Sequence, residues 1–305
     1  ISKIFALFHS IMAYINDTHA YISAYYKFTS VLFCNYVDFF YYLCTKLKII
    51  RFMSQKKILY ISQEIYPYVD ETQISNTSRY LPQAIQEKGM EIRAFMPKYG
   101  SINERRNQLH EVIRLSGMNL IIDDSDNSLI IKVASIQTAR MQVYFIDNED
   151  YFQNRETLVD KNNEEYDDND ERSIFFIRGV METIKKLRWV PDIIHCHGWF
   201  SALAPLFVKK GYADDPCFKN AKVIYSLYDE SFNKPFDQKI ADKLRFEGIG
   251  DTEIDLVKDR GLMDYTNLMK LAIDFSDGIV LGSEKVNSEI VKYAQDKKIE
   301  LLPFQ

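Results

Sequence analysis

The sequence predicts an α/β fold, a doubly wound and mainly parallel sheet with helices on both faces. Two observations carry that prediction. Short apolar runs fit for buried strands recur along the chain, and amphipathic stretches long enough for helices separate them. A third observation narrows it: no internal repeat and no low-complexity linker divides residues 53 to 305, so a single domain is expected there.

The first unit runs from a strand over Ile58 to Ile61, through a loop marked by Pro67, into a helical pattern beginning at Ser75. In such a unit the loop lies at the carboxyl end of the strand, where open α/β sheets bind ligands, and the next helix offers free backbone N–H groups to a phosphate. A glycine would let backbone approach the anion, yet none lies between Ile58 and Lys88. Glu91 to Met96 and Gln142 to Ile146 are predicted strands, with Leu129 to Ile136 a further β segment between them. Asp160 to Glu171 is a polar, acidic loop. A helix over Asp170 to Leu187 gathers Ile174, Phe175, Ile177, Val180, Met181, Ile184 and Leu187 on one apolar face. Pro191 to His195 is a strand, followed by a helix from about Trp199 to Lys210. Strands over Lys222 to Leu227 and Asp277 to Leu281, with a helix over Glu284 to Gln295, complete the alternation.

Residues 1–52 differ in composition from everything after them. They contain no Gly or Pro, whereas the chain has 11 Gly and 8 Pro. Phe, Tyr, Ile, Asn and Lys dominate, all with A/T-rich codons, and Met53 stands just before the first strand. We therefore expect residues 1–52 to be a leader of translated upstream sequence, disordered or helical, with Met53 the native start. The rival, a membrane anchor over Val31 to Ile50, is disfavoured because Asp38, Lys46 and Lys48 leave an apolar stretch shorter than the roughly 20 residues a bilayer needs. Without the leader, 33 basic and 41 acidic residues remain, a net charge of −8 that disfavours nucleic acid as a partner. Cys196 and Cys217 are the only cysteines beyond the leader, too few for a disulfide framework, and point to a reducing cytoplasm.

Three stretches place chemistry-bearing side chains at strand ends. His195-Cys196-His197-Gly198-Trp199 puts two histidines on one side of a buried strand, either as core residues or facing a ligand. Neighbouring residues on an extended chain point apart and no matching Cys or His cluster occurs elsewhere, so neither a metal nor a cofactor is expected. Asp168 or Asn169 stands where a helix N-cap belongs, and the same side chains suit sugar hydroxyls. Asp229, Glu230 and Asn233 follow the strand ending at Leu227, as a polar loop or a ligand edge. Tyr66, Tyr68, Tyr166 and Tyr228 lie in loops that would gather aromatic faces at one rim. No P-loop, dinucleotide fingerprint or nucleophile elbow is present.

With these residues in view, the chain resembles the N-terminal half of bacterial glycogen and starch synthases, retaining glucosyltransferases that use ADP- or UDP-glucose. Ile58-Leu-Tyr-Ile-Ser-Gln-Glu-Ile-Tyr-Pro67 is similar to the family's opening strand and "S-x-E-x-x-P" turn. Tyr166 to Arg172 resembles its "D-N-x-x-R-F" segment. Pro191 to Pro205 is close to "P-D-I-I-H-x-H-D-W-H-x-x-L-x-P", and Ala272 to Ser283 resembles "A-x-x-x-A-D-x-I-x-T-V-S". The resemblance implies a Rossmann-like domain, one half of a GT-B fold, with His197 at the glucosyl group and Asp168, Asn169 and Trp199 on the substrate. The family's "K-x-G-G-L" loop, which holds the donor phosphates, reads Glu71-Thr-Gln73-Ile74-Ser75 here, and "H-D-W-H" keeps its first histidine as His197 but reads Gly198 and Phe200. Like charges about 4 Å apart repel by around 1 kcal/mol even in water. The expectation is accordingly a synthase-like domain inactive alone, lacking the C-terminal domain. A non-catalytic subunit binding α-glucan, or a protein completed by a separate C-terminal-half polypeptide, is the alternative.

Overall fold

The computed structural model describes residues 56–304; the leader, Met53 and the stretch Val31 to Ile50 lie outside the described residues. Ten strands form in chain order: β1 (Lys57–Ser62), β2 (Glu91–Pro97), β3 (His110–Glu111), β4 (Met118–Ile122), β5 (Ser125–Ile136), β6 (Met141–Asp147), β7 (Ile193–His197), β8 (Lys222–Leu227), β9 (Gly278–Leu281) and β10 (Glu300–Leu302). Seven lie parallel in the spatial order β10-β9-β8-β7-β1-β2-β6. Beyond β6 the sheet turns antiparallel, with β5 on β6 and both β3 and β4 on β5. This is a Rossmann-like α/β sheet. Its parallel strands read as near-continuous apolar runs because both faces are covered.

The chain winds outward from β1 through β2 to β6, then returns to the other side of β1 as β7 and winds outward again to β10. Right-handed crossovers in opposite directions set helices on opposite faces. The winding therefore reverses between β1 and β7, and the crevice beyond their carboxyl ends is where such sheets bind ligands.

Five helices of nine residues or more connect the strands: α1 (Gln73–Glu87), α2 (Asn169–Leu187), α3 (Asp251–Asp259), α4 (Tyr265–Asp274) and α5 (Ser288–Asp296). On α2 the predicted apolar face is buried from Ile174 to Ile184, joined by Phe176, while Leu187 at its end is only partly buried. The predicted helix over Trp199 to Lys210 is instead a broken path: a 3₁₀ turn over Trp199–Ser201, one α turn over Ala204–Leu206, and a wider turn over Phe207–Gly211. Pro205 supplies no N–H to a preceding turn, so a continuous helix cannot run through it at full hydrogen bonding. Sequence patterning had also passed over the hairpin strand β4 and the helices α3 and α4.

An ion cluster ties the start of α2 to the segment after β8. The ammonium of Lys243, itself buried, lies 2.8 Å from Asp170 and 2.8 Å from Glu171, with Asp237 at 3.5 Å. Both acids sit in the first turn of α2, where the helix dipole also favours them. Among the described residues no helix is long and apolar enough to cross a membrane.

Candidate functional site

At the switch point the carboxyl ends of β1, β7, β8 and β9 surround a cleft of about 450 Å³. Its wall comes from Gln63 and Glu64 after β1, Asp70 and Thr72 to Ile74 leading into α1, Thr157 to Val159 and Glu165 from the acidic loop, Trp199 after β7, Tyr228 to Phe232 after β8, and Ser283 after β9. Tyr99 closes one side. Five lining side chains are carboxyls (Glu64, Asp70, Glu165, Asp229 and Glu230) and none is Lys, Arg or His.

The start of α1 is closed by its own side chains. Thr72 Oγ1 accepts from the Ser75 N–H at 2.9 Å, and Ser75 Oγ accepts from the Thr72 N–H at 2.8 Å, a reciprocal capping box. Thr72 Oγ1 in turn donates to Glu64 at 2.5 Å. One backbone donor that an unfilled helix start would offer to a phosphate, the Ser75 N–H, is thus spent locally, beneath a carboxylate. Glu71 itself is exposed at this turn; of the acids around it, Glu64 and Asp70 line the cleft.

Gln63 is wedged between β1 and β7. Its Oε1 accepts the Phe200 N–H at 3.1 Å and its Nε2 donates to Glu230 at 3.1 Å. Space for it exists because residue 198 is glycine, at φ +81°, where an added Cβ would fall 2.3 Å from the Gln63 side chain. Burial, with the charge of Glu64 added, pushes the carboxyl of Glu230 up to about 8, and burial likewise raises Glu64. A carboxyl raised in the folded state gives up its proton first in the unfolded chain. The stability it contributes is complete below its ordinary value near 4.5 and is lost as pH climbs to about 8. Glu230→Gln is expected to flatten that decline in urea-unfolding free energy between pH 5 and 8 by about 1–3 kcal/mol. An unchanged slope in the variant would show that Glu230 does not hold its proton in the folded protein.

Of the residues expected from sequence, Trp199 lines the cleft, its ring 4.8 Å from that of Phe232. His197 is fully buried at the end of β7, behind Tyr228, whose hydroxyl meets its Nδ1 at 2.7 Å. The His195 ring lies 4.1 Å away, and burial together with that neighbour holds His197 well below the usual imidazole range. His195 bonds Ser226 through Nε2 at 2.8 Å, and burial lowers it to about 4. Asp168 occupies the N-cap position of α2 but makes no side-chain cap bond; it pairs instead with Arg155 at 2.9 Å. Asn169 accepts from Arg172 and donates to the Leu158 carbonyl. These two residues hold the back of the Thr157 to Val159 wall. Of the loop tyrosines, Tyr228 alone lines the cleft: Tyr68 packs edge-on against Phe145, and Tyr166 lies between Arg155 and Arg172.

Residues 57–302 match the family model of the starch synthase catalytic domain. The chain belongs to this family. It is 38% identical over 202 residues to a glycogen synthase of Chlorobaculum tepidum, covering 63% of this chain and 41% of that protein. With a glycogen synthase of Pelodictyon phaeoclathratiforme it shares 32% identity over 245 residues, 77% of this chain and 47% of that one. The catalytic domain of starch synthase IV from Arabidopsis thaliana, solved bound to ADP and acarbose, shares the fold at a TM-score of 0.63 and 18% identity, over 82% of this chain and 51% of that one. The chain thus spans about half the length of the relatives it matches. Within this starch synthase family member, Gln63, Tyr99 and Glu230 are the cleft residues that sequence patterning did not bring together. Their only linear signals were a polar residue after β1 and an acid after β8.

Proposed function

We propose that this domain is the half of a glycogen or starch synthase-type GT-B glucosyltransferase that holds the α-1,4-glucan, and that on its own it does not engage a nucleotide sugar or transfer glucose. One observation carries the reading: the switch-point cleft is walled by five carboxyls and no cation, and the start of α1 is capped by Thr72 and Ser75. A diphosphate placed there would meet like charge in a partly buried setting, and the Ser75 N–H at the start of α1 is already taken by Thr72. Sugar hydroxyls carry no charge and hydrogen-bond readily to carboxyl oxygens, while Trp199 and Tyr228 offer ring faces to the apolar side of a pyranose. In this reading Trp199 packs on the sugar, and His197 acts through Tyr228 at the glucosyl end. Asp168 and Asn169 position the wall through Arg155 and Arg172. Donor contacts then come from residues outside the matched half, on the same polypeptide or on a partner. A cytoplasmic setting accords with the free thiols of Cys196 and Cys217.

Calorimetric titration of the 305-residue chain tests this. Maltotriose is expected to bind with a dissociation constant on the order of 1 mM, while ADP-glucose gives no heat of binding. Tight ADP-glucose binding, or its displacement by ADP, would return the chain to ordinary donor recognition and sink the proposal.

A further inference from the structure

Two residues that line the cleft each carry a buried polar atom without a well-formed hydrogen bond: the hydroxyl of Tyr99 and Oε1 of Glu230. Tyr99 is only 1% exposed. Leaving such a group unmet costs about 1–3 kcal/mol, so an unmet pair in a cleft is a sign of something that meets it. The orientation of the Glu230 carboxyl is set from behind. Gln63 Oε1 is committed to the Phe200 N–H, which turns its amide NH₂ to Glu230 and pins one carboxyl oxygen at 3.1 Å. The other oxygen, Oε1, makes no well-formed hydrogen bond, although the Trp199 backbone N–H also reaches the carboxyl and favours its ionised form.

We propose that Glu230 is a ligand-binding residue of this cleft, with Tyr99, and that the two hydrogen-bond hydroxyls of the bound glucan while Gln63 acts as the positioning residue that presents Glu230. This rests on the glucan reading above and adds to it the residues that read the sugar. The chemistry is complementary: a sugar hydroxyl donates to Oε1 of Glu230, and the phenol of Tyr99 donates to or accepts from a hydroxyl as the ligand requires. A hydroxyl donated to Glu230 favours its ionised form, so glucan binding near neutral pH releases a proton from a carboxyl that otherwise keeps it. The titratable groups facing Glu230 are Glu64 after β1, Tyr225 and Tyr228 from β8 and the turn beyond it, and Tyr265 from α4; Asp229 precedes it in the chain. Burial holds the tyrosines above their ordinary range, so they stay neutral throughout.

The test is calorimetric titration of the whole chain with maltotriose, in two buffers of different ionisation enthalpy, for the wild type, Glu230→Gln, Tyr99→Phe and Gln63→Ala. Glu230→Gln is expected to weaken binding about tenfold and to abolish proton release, and Tyr99→Phe to weaken it about fivefold. Gln63→Ala is expected to weaken binding while retaining proton release, since Glu230 is still present but no longer held. Tyr99→Phe removes one oxygen without changing the ring, so it remains informative if a Glu230 variant fails to fold. Wild-type binding that both Glu230→Gln and Tyr99→Phe leave unchanged, or proton release persisting in Glu230→Gln, overturns the assignment and leaves the glucan reading standing. No heat from maltotriose with the wild type overturns both.

Discussion

Gly198→Ala is expected to lower the unfolding free energy by about 3 kcal/mol, from backbone strain and steric overlap together. At φ +81° and ψ 153° residue 198 lies in a region open essentially to glycine alone, and forcing a side chain there costs about 1–3 kcal/mol. The new methyl would also fall 2.3 to 2.5 Å from Cδ, Oε1 and Cγ of Gln63, an overlap that only movement of Gln63 relieves. Displacing Gln63 breaks its bonds to Phe200 and Glu230 and so disturbs the floor of the cleft. Urea denaturation of the single variants and of the Gln63→Ala/Gly198→Ala pair measures this. The double variant is expected to be less destabilised than the sum of the singles by about 1 kcal/mol or more, because truncating Gln63 removes the overlap but leaves the backbone strain. A Gly198→Ala single variant within about 0.5 kcal/mol of wild type would refute the wedge. The glycine and the glutamine therefore act as one unit: the side chain of Gln63, just after β1, occupies the space that a side chain at 198 would take.

That coupling shows where the sequence was legible and where it was not. Strands β1, β2, β6, β7, β8 and β9 were visible because each carries a short apolar run, a signal that needs no knowledge of neighbours. Helix α2 was visible through its wide apolar face. The edge strands β3 and β10 span two and three residues and bury none of them, too little for any period to register. Helix α1 begins two residues before the apolar pattern suggested, since Thr72 caps it by a bond whose partner, Ser75, is itself polar. The cleft was harder still. Gln63 meets Phe200 across 137 residues and Glu230 across 167, and it fits only because a side chain is missing at Gly198. Absence of a side chain gives no linear pattern. The "D-N-x-x-R-F"-like segment was legible as a motif, but its work is understood only from the fold: Asn169 and Arg172 bond each other, one helical turn apart.

Arg172 carries the second large effect. Its guanidinium is fully buried and no carboxylate appears among its hydrogen-bond partners: it donates to the Tyr151 carbonyl at 2.8 Å, to Asn169 Oδ1 at 2.6 Å and to the Thr157 carbonyl at 2.7 Å. The faces of Phe152, Tyr166 and Phe200 lie 4.9 to 5.8 Å from it, and burial pulls its proton affinity down to about 10, still charged at neutral pH. Arg172→Met keeps most of the volume but strands three acceptors, each worth about 1–3 kcal/mol when left unmet, and is expected to destabilise the protein by about 4 kcal/mol. Arg172→Lys is expected to recover little, because a single ammonium on a shorter reach cannot serve three acceptors arranged for a planar fork. The loss is not confined to stability. Thr157 begins the wall that continues through Leu158 and Val159 into the cleft, and Asn169 holds the Leu158 carbonyl at 3.0 Å. Freed from Arg172, both anchors of that wall loosen together, so maltotriose affinity in Arg172→Met should fall even at temperatures where the variant remains folded. Asn169→Ala separates the two consequences: it removes one acceptor along with its bond to Leu158, so a smaller loss of stability with a comparable loss of affinity is expected. Equal affinity in wild type and Asn169→Ala would show that the wall is held without this pair and that the segment serves folding alone.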